Sequence, residues 1–148
     1  MRVCGAFRRC SDGTAFLETA VVLPIVIVLM AGLIDFGRAY LTLATAQKSA
    51  RTAVRYLTTL PPAVICDWGF TRAKNLARFG NIGGTGTPLV ADWQDGQITL
   101  DTPSCPATTA GIVRVRADVP FKPLMWPAVG LPSTMTLKVD YQERWIGE

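Results

Sequence analysis

The architecture of this chain is set by one segment near its start, which reads GTAFLETAVVLPIVIVLMAGLI from Gly13 to Ile34. The part from Thr19 onward carries no charged residue and is mostly Val, Ile, Leu and Ala. As an α-helix that part spans about 24 Å, which is short of a hydrocarbon core of about 30 Å. Extension back to Thr14 gives about 31 Å and places Glu18 at or inside the membrane boundary. Glu18 then either snorkels at the interface or pairs with another group.

Glu18 needs an explanation, because a lone carboxylate inside a bilayer costs on the order of 3 kcal/mol and usually has a partner. The preceding leader is basic, with Arg2, Arg8 and Arg9, and Gly13 stands five residues ahead of Glu18. A basic leader, a glycine, this glutamate and an apolar helix together resemble a type IV prepilin signal. The resemblance implies that a membrane-embedded prepilin peptidase cuts after the glycine on the cytoplasmic side and that the apolar helix is retained.

Carried over to this chain, the signal makes Gly13 the residue before the cut and Thr14 the new N-terminus. Glu18 becomes the carboxylate that pairs with the α-amino group of a neighbouring subunit. Two opposite charges in lipid need each other, which fixes the axial register between subunits. Two alternatives stay open: a simple signal anchor with an incidental glutamate, and a secretory signal cut near Ala44-Thr45-Ala46.

The sequence beyond the span extends the resemblance. It reads LIDFGR from Leu33 to Arg38 and AQKSARTAVRY from Ala46 to Tyr56. Together with Gly13, Glu18 and Pro24, these segments resemble the TadE-like family, the minor pseudopilins of the tight-adherence (Flp) pilus assembly system. This implies a role in assembling or anchoring a pilus, without catalysis. A related TadG-like family usually carries a much larger C-terminal region, so the length of this chain favours the TadE type.

The resemblance also implies a location and partners. The chain is expected to cross the bacterial inner membrane once, with a cytoplasmic N-terminus and a periplasmic or extracellular C-terminal domain. The arginines of the leader agree with this orientation. The implied partners are the prepilin peptidase, other pilins or pseudopilins and the inner-membrane pilus assembly platform. Incorporation into the pilus itself is left open, and a signal-anchored extracytoplasmic binding domain unrelated to pili is the alternative function.

The expected layout has four parts. They are a basic leader over 1–13 that is cleaved, a transmembrane helix over 14–36, an amphipathic stem helix over 37–60 and a small extracytoplasmic α+β head domain over 61–148. Pro24 lies inside the span and is expected to kink it. Pro61 and Pro62 are expected to end the stem.

The stem has two stripes at helical spacing. The first consists of small or apolar residues, namely Leu43, Ala46, Ala50, Ala53, Val54 and Leu57. We expect it to pack on the chain's own head domain, with another subunit's helix as the alternative. The second is basic (Lys48, Arg51, Arg55) and is expected to face solvent, with anionic lipid or an acidic partner as the alternative. Asp35 and Arg38 are three residues apart on one helix face and can pair at the outer interface of the membrane that the helix spans.

The head domain reads as a second helix followed by three strands. The helix is predicted over 63–79 and ends at Gly80. Strands are predicted over 97–101, 112–121 and 134–145, the last two with strict alternation of apolar and polar residues. One buried face requires cover from the helices. The predicted fold is therefore α+β and pilin-like: a long N-terminal helix, and a second helix packed on a small three-stranded antiparallel sheet.

The connection over 122–132 is apolar and rich in proline, and no regular structure is expected there. It places Leu124, Met125 and Trp126 side by side, which exposed loops normally avoid. Either the segment folds back over the core, or it is a docking surface for another subunit or the membrane. Its three large side chains join Asp35, Arg38 and the basic stripe as candidate partner contacts.

The cysteines are divided by the span. Cys4 and Cys10 precede it, whereas Cys66 and Cys105 follow it, so the two pairs are expected in different compartments. An oxidising compartment makes Cys66–Cys105 the natural disulfide. Two free buried thiols are the alternative.

Several functions are disfavoured by composition. The chain has no histidine, which removes the commonest general base and metal ligand. Asp92 and Asp95 are the nearest approach to a catalytic carboxylate pair, and such residues in a polar loop are usually just solvated. No enzyme, cofactor or metal is predicted. The net charge is +4, but basic and acidic residues balance from Pro61 onward, so no nucleic-acid binding is expected.

Overall fold

A computed structural model describes residues 11–102 and 111–145 of the chain. Its dominant element is helix α1, which runs from Ser11 to Thr58 and continues through Pro24. The kink predicted at that proline stays a prediction. The leader residues 1–10 lie outside the described residues, as does Cys105.

The predicted second helix is built from three pieces. A single turn, α2 (Pro62–Val64), is followed by one π-helical turn over Ile65–Gly69 and then by α3 (Phe70–Phe79). A β-carbon on Gly69 would lie 2.9 Å from the Val64 carbonyl oxygen, so the wide turn needs glycine there. Gly80 ends α3 in the left-handed conformation with φ of 74°, as predicted.

Three strands form one antiparallel sheet in the order β1-β2-β3. They are β1 (Ile98–Asp101), β2 (Ile112–Phe121) and β3 (Met135–Arg144). The sequence predicted β2 with these bounds and the other two to within a residue. In β2 the apolar set that alternates with charged residues is buried, and it consists of Val113, Val115, Ala117, Val119 and Phe121.

The core lies between this sheet face and the stem part of α1. Ala46, Ala50, Ala53, Val54 and Leu57 are all fully buried in it. The prediction that the small-residue stripe packs on the chain's own head domain is therefore confirmed. Small side chains allow close approach of the helix to the sheet, and α3 packs against the same helix.

Two core residues were not anticipated from the sequence. Val90 and Trp93 follow the glycine-rich loop after α3, and both are buried in the main cluster. The backbone carbonyl of Trp93 accepts a 3.0 Å hydrogen bond from Arg78 Nε, which fixes this segment to α3. The fold class, an α+β arrangement with a long apolar N-terminal helix, is as predicted.

Candidate functional site at the junction of helix and head

The first half of α1 stands away from the head. From Ala15 to Met30 every residue is exposed, and nearly all of them are apolar. The helix is the one element among the described residues that is long and apolar enough to cross a membrane. A long helix with such a surface indicates a membrane anchor.

The predicted processing and register residues lie at the start of this helix. Gly13 and Thr14 fall within α1, and Glu18 is exposed on it. Thr19 directs its hydroxyl to the Ala15 carbonyl at 2.9 Å, so it adds no polar group to the outer surface of the helix. Cleavage after Gly13 and pairing through Glu18 remain predictions.

Asp35 marks the place where α1 meets the head domain. Its side chain is 0% exposed, although it directly follows the uncharged run that ends at Ile34. Oδ1 accepts the backbone N–H of Leu124 at 2.8 Å, and Oδ2 accepts those of Met125 at 2.8 Å and Trp126 at 3.3 Å. Asp35 thus holds three consecutive amides of the β2–β3 loop.

Arg38 adds a weaker contact to the same carboxylate. Its Nη1 lies 3.4 Å from Asp35 Oδ1, and its side chain is half exposed. The guanidinium also lies 5.8 Å from the centre of the Phe121 ring. The predicted Asp35–Arg38 pair therefore forms, but the backbone amides of the loop are the closer partners of Asp35. All four groups that contact Asp35, three backbone N–H groups and the Arg38 guanidinium, are hydrogen-bond donors, as an ionised carboxylate requires.

The loop between β2 and β3 is partly regular, contrary to expectation. Trp126–Val129 forms one 3-10 turn, and Gly130 ends it with φ of 79°. Asp35 satisfies the free N–H groups at the start of this turn, which explains why the proline-rich segment is ordered there. The loop folds back only in part: Pro123 is buried and Trp126 half-buried, whereas Leu124, Met125 and Leu131 stay exposed.

A small cavity adjoins this junction. Its lining comes from α1, the segment around Val90 and the end of β2, and includes Arg38, Thr42, Asp92 and Lys122. Lys122 Nζ lies 2.5 Å from Asp92 Oδ2. Asp95 contacts Lys74 at 3.2 Å. Asp92 and Asp95 are thus each engaged with a different lysine.

The basic stripe lies further along the helix. Lys48, Arg51 and Arg55 are exposed, as predicted for a solvated face. Arg51 lies over the Tyr141 ring at 5.1 Å from its centre, so part of the stripe rests on the sheet. None of the three belongs to the junction around Asp35.

Cys66 lies in the π-helical turn, half-buried beside the core. Because Cys105 is outside the described residues, the Cys66–Cys105 disulfide stays a prediction. Within 11–102 and 111–145, no group of three or more Cys, Asp or Glu side chains is arranged to hold a metal ion.

A comparison with known protein families finds a match that lies within α1 and includes Asp35. Residues 13–55 match the family model of the TadE-like protein. Over this segment the chain is similar to TadE-like proteins. The match begins at the predicted cleavage glycine and includes both Glu18 and Asp35, and it indicates involvement in a tight-adherence pilus system. No curated protein and no solved structure matches the chain.

Sequence reasoning found the members of the junction but not their arrangement. Asp35, Arg38 and the three loop residues were each identified as candidate partner contacts. The structure brings them together and shows that Asp35 contacts the chain's own loop. The available signal was an acidic residue directly after an apolar span, which requires donors. Donors supplied by backbone amides leave no trace in a sequence.

Proposed function

We propose that this chain is a minor pseudopilin of a tight-adherence (Flp, type IVb-like) pilus, cleaved by a prepilin peptidase after Gly13. The mature chain is held in the bacterial inner membrane by α1, with the head domain on the periplasmic or extracellular side. It takes part in assembly or anchoring of the pilus together with other pilins or pseudopilins and the assembly platform. TadE-like proteins of pilus systems are generally not enzymes, and no catalytic role is proposed.

The observation that carries the proposal is the position of the TadE-like match. It begins at Gly13 and covers the exposed apolar first half of α1, with Glu18 in the first turns of that helix. Such a helix has no partner within the described chain, and lipid or neighbouring helices supply its cover. Glu18 then has a defined use, because a charged N-terminus of a neighbouring subunit satisfies it in lipid.

The test is the N-terminal sequence and intact mass of the protein purified from native membranes. We expect the chain to begin at Thr14 and a Gly13→Ala variant to retain its leader. Gly32→Ala is a matched control, because Gly32 lies in the same helix and a β-carbon there meets nothing within 4 Å. That variant should be processed like the wild type.

A mature chain that begins at Met1 would overturn the proposal of prepilin processing. It would favour a signal-anchored extracytoplasmic domain unrelated to pili. A start at Gln47, directly after Ala44-Thr45-Ala46, would instead identify a cleaved secretory signal, and the membrane anchor would then be lost.

A further inference from the structure

The β2–β3 loop exposes apolar side chains beside Asp35, where the uncharged run of α1 ends. Leu124 is 66% exposed and Leu131 is 50% exposed. Lys122 is the only charged residue between Asp118 and Lys138. A surface so poor in charge is unusual on a domain that faces water, and it indicates an apolar environment.

The depth of this loop relative to the helix is fixed by Asp35. The amide nitrogens of Leu124 and Met125 each lie 2.8 Å from its carboxylate oxygens. Asp35 itself directly follows Ile34, the last residue of the uncharged run. A bilayer that covers the run up to Ile34 therefore ends at the level of the loop, and the loop cannot leave that level without breaking these hydrogen bonds.

The charges at this level neutralise one another. Arg38 is paired with Asp35 at 3.4 Å, and Lys122 is paired with Asp92 at 2.5 Å. The basic stripe begins at Lys48, about 20 Å further along the helix, beyond a Debye length of about 10 Å. Contact with lipid at the junction thus depends on apolar side chains rather than on attraction to anionic headgroups.

We propose that the β2–β3 loop rests in the lipid interface of the leaflet that faces the head domain. Leu124, Met125 and Leu131 insert among the lipid chains, and Trp126 lies at headgroup level, where tryptophan is enriched in membrane proteins. The loop thereby sets the height of the head above the bilayer. Lipid is the occupant because the surface is continuous with the membrane-spanning part of α1. The inference rests on the membrane anchoring proposed above.

The test uses the full chain in phosphatidylcholine vesicles, at less than one chain per vesicle so that contact between copies is excluded. Tryptophan fluorescence is quenched by a nitroxide placed either on the lipid headgroup or deep on the acyl chain. We expect stronger quenching by the headgroup nitroxide, and we expect Trp126→Phe to reduce that quenching at least about twofold. Trp68→Phe is the matched control and should keep it, because Trp68 lies beyond the stem in the π-helical turn.

A second variant keeps the test valid if Trp126→Phe fails to fold. Replacement of the exposed Leu124 and Met125 by serine keeps Trp126 and should also lower its quenching by the headgroup nitroxide. Addition of phosphatidylglycerol, or a change of salt concentration, should alter the quenching less than about twofold, because the local charges are paired. A strong salt dependence would overturn the apolar mode of contact.

The remaining outcomes separate this inference from the proposed function. If the chain fails to float with the vesicles, the membrane anchor is overturned and the inference with it. If it floats, but wild type and Trp126→Phe are quenched equally, the anchor stands and the loop is not in lipid. Quenching that appears only at high protein density would assign the loop to contact between subunits and would overturn lipid as its occupant.

Discussion

The carboxylate of Asp35 on α1 accepts the backbone N–H of Leu124 at 2.8 Å, across 89 residues of sequence. This bond and its two neighbours tie the end of the head domain nearest the exposed apolar half of α1 to the helix that carries it. Without these hydrogen bonds, the head would be held to α1 mainly by the apolar packing of the stem on the sheet, which lies further along the helix. The junction therefore transmits the position of the helix to the loop between β2 and β3.

Removal of the Asp35 carboxylate should release the loop. In Asp35→Ala, the amides of Leu124, Met125 and Trp126 lose their acceptors, and their hydrogen exchange should accelerate at least roughly tenfold. Asp35→Glu, which keeps the charge on a longer side chain, should give an intermediate rate. Arg38→Gln should have a small effect, because Arg38 is half exposed and makes the longest of these contacts. Equal exchange in wild type and Asp35→Ala would show that the carboxylate does not hold the loop.

Enlargement of a small residue on the stem should destabilise the head. Ala50 is fully buried against the core, so Ala50→Leu should lower the free energy of unfolding by about 1–3 kcal/mol. Ala44→Leu is the control, since Ala44 is exposed on the same helix and accommodates a larger side chain. Chemical denaturation of the full chain in detergent, followed by tryptophan fluorescence, measures both. If the two variants are equally stable, the stem does not pack as described.

Glu18 should matter for assembly and not for processing. Glu18→Gln removes the charge that pairs with a neighbouring N-terminus, so we expect a mature chain that starts at Thr14 but no longer co-purifies with other pilus subunits. Thr19→Val is the control, because the Thr19 hydroxyl is already bonded to the Ala15 carbonyl within the helix. Normal co-purification of Glu18→Gln would remove the proposed role in axial register.

The mature protein should contain a single disulfide. Cleavage after Gly13 removes Cys4 and Cys10 and leaves Cys66 and Cys105. We expect the non-reduced protein to be lighter than the reduced form by two hydrogens and to resist thiol reagents. The Cys66–Cys105 disulfide would close a loop of about 40 residues, and in the chain-entropy model such a cross-link stabilises the fold by about 4 kcal/mol. Cys66→Ser should therefore lower the melting temperature. Thiol labelling of the native mature protein would instead indicate two free cysteines.

The helices and strands were largely readable from local patterns. The uncharged run predicted the exposed first half of α1, and the strict alternation from Ile112 to Phe121 predicted β2 with its buried face. Gly80 marked the end of α3 because the left-handed conformation there favours glycine. Each of these signals depends on residues a few positions apart, which is why the sequence alone expresses them.

The candidate site was only half readable. The sequence predicted that Asp35 pairs with Arg38 and that Leu124, Met125 and Trp126 are unusual together in an exposed loop, but it did not connect Asp35 with the loop. Likewise, nothing periodic around Val90 and Trp93 predicted their burial. A loop predicted to be wholly irregular contains a 3-10 turn because an acceptor from a distant helix satisfies its free amides.

The sequence by itself therefore determined the anchor helix, the three strands and the TadE-like character of the N-terminal segment, since hydrophobic periodicity and charge are local properties. Only the tertiary structure decided which surface of the head lies beside the end of the uncharged run of α1. That choice depends on hydrogen bonds from Asp35 to main-chain amides, and every residue but proline carries such an amide. The identity of Leu124 does not reveal its partner; the packing of α1 on β2 and β3 does.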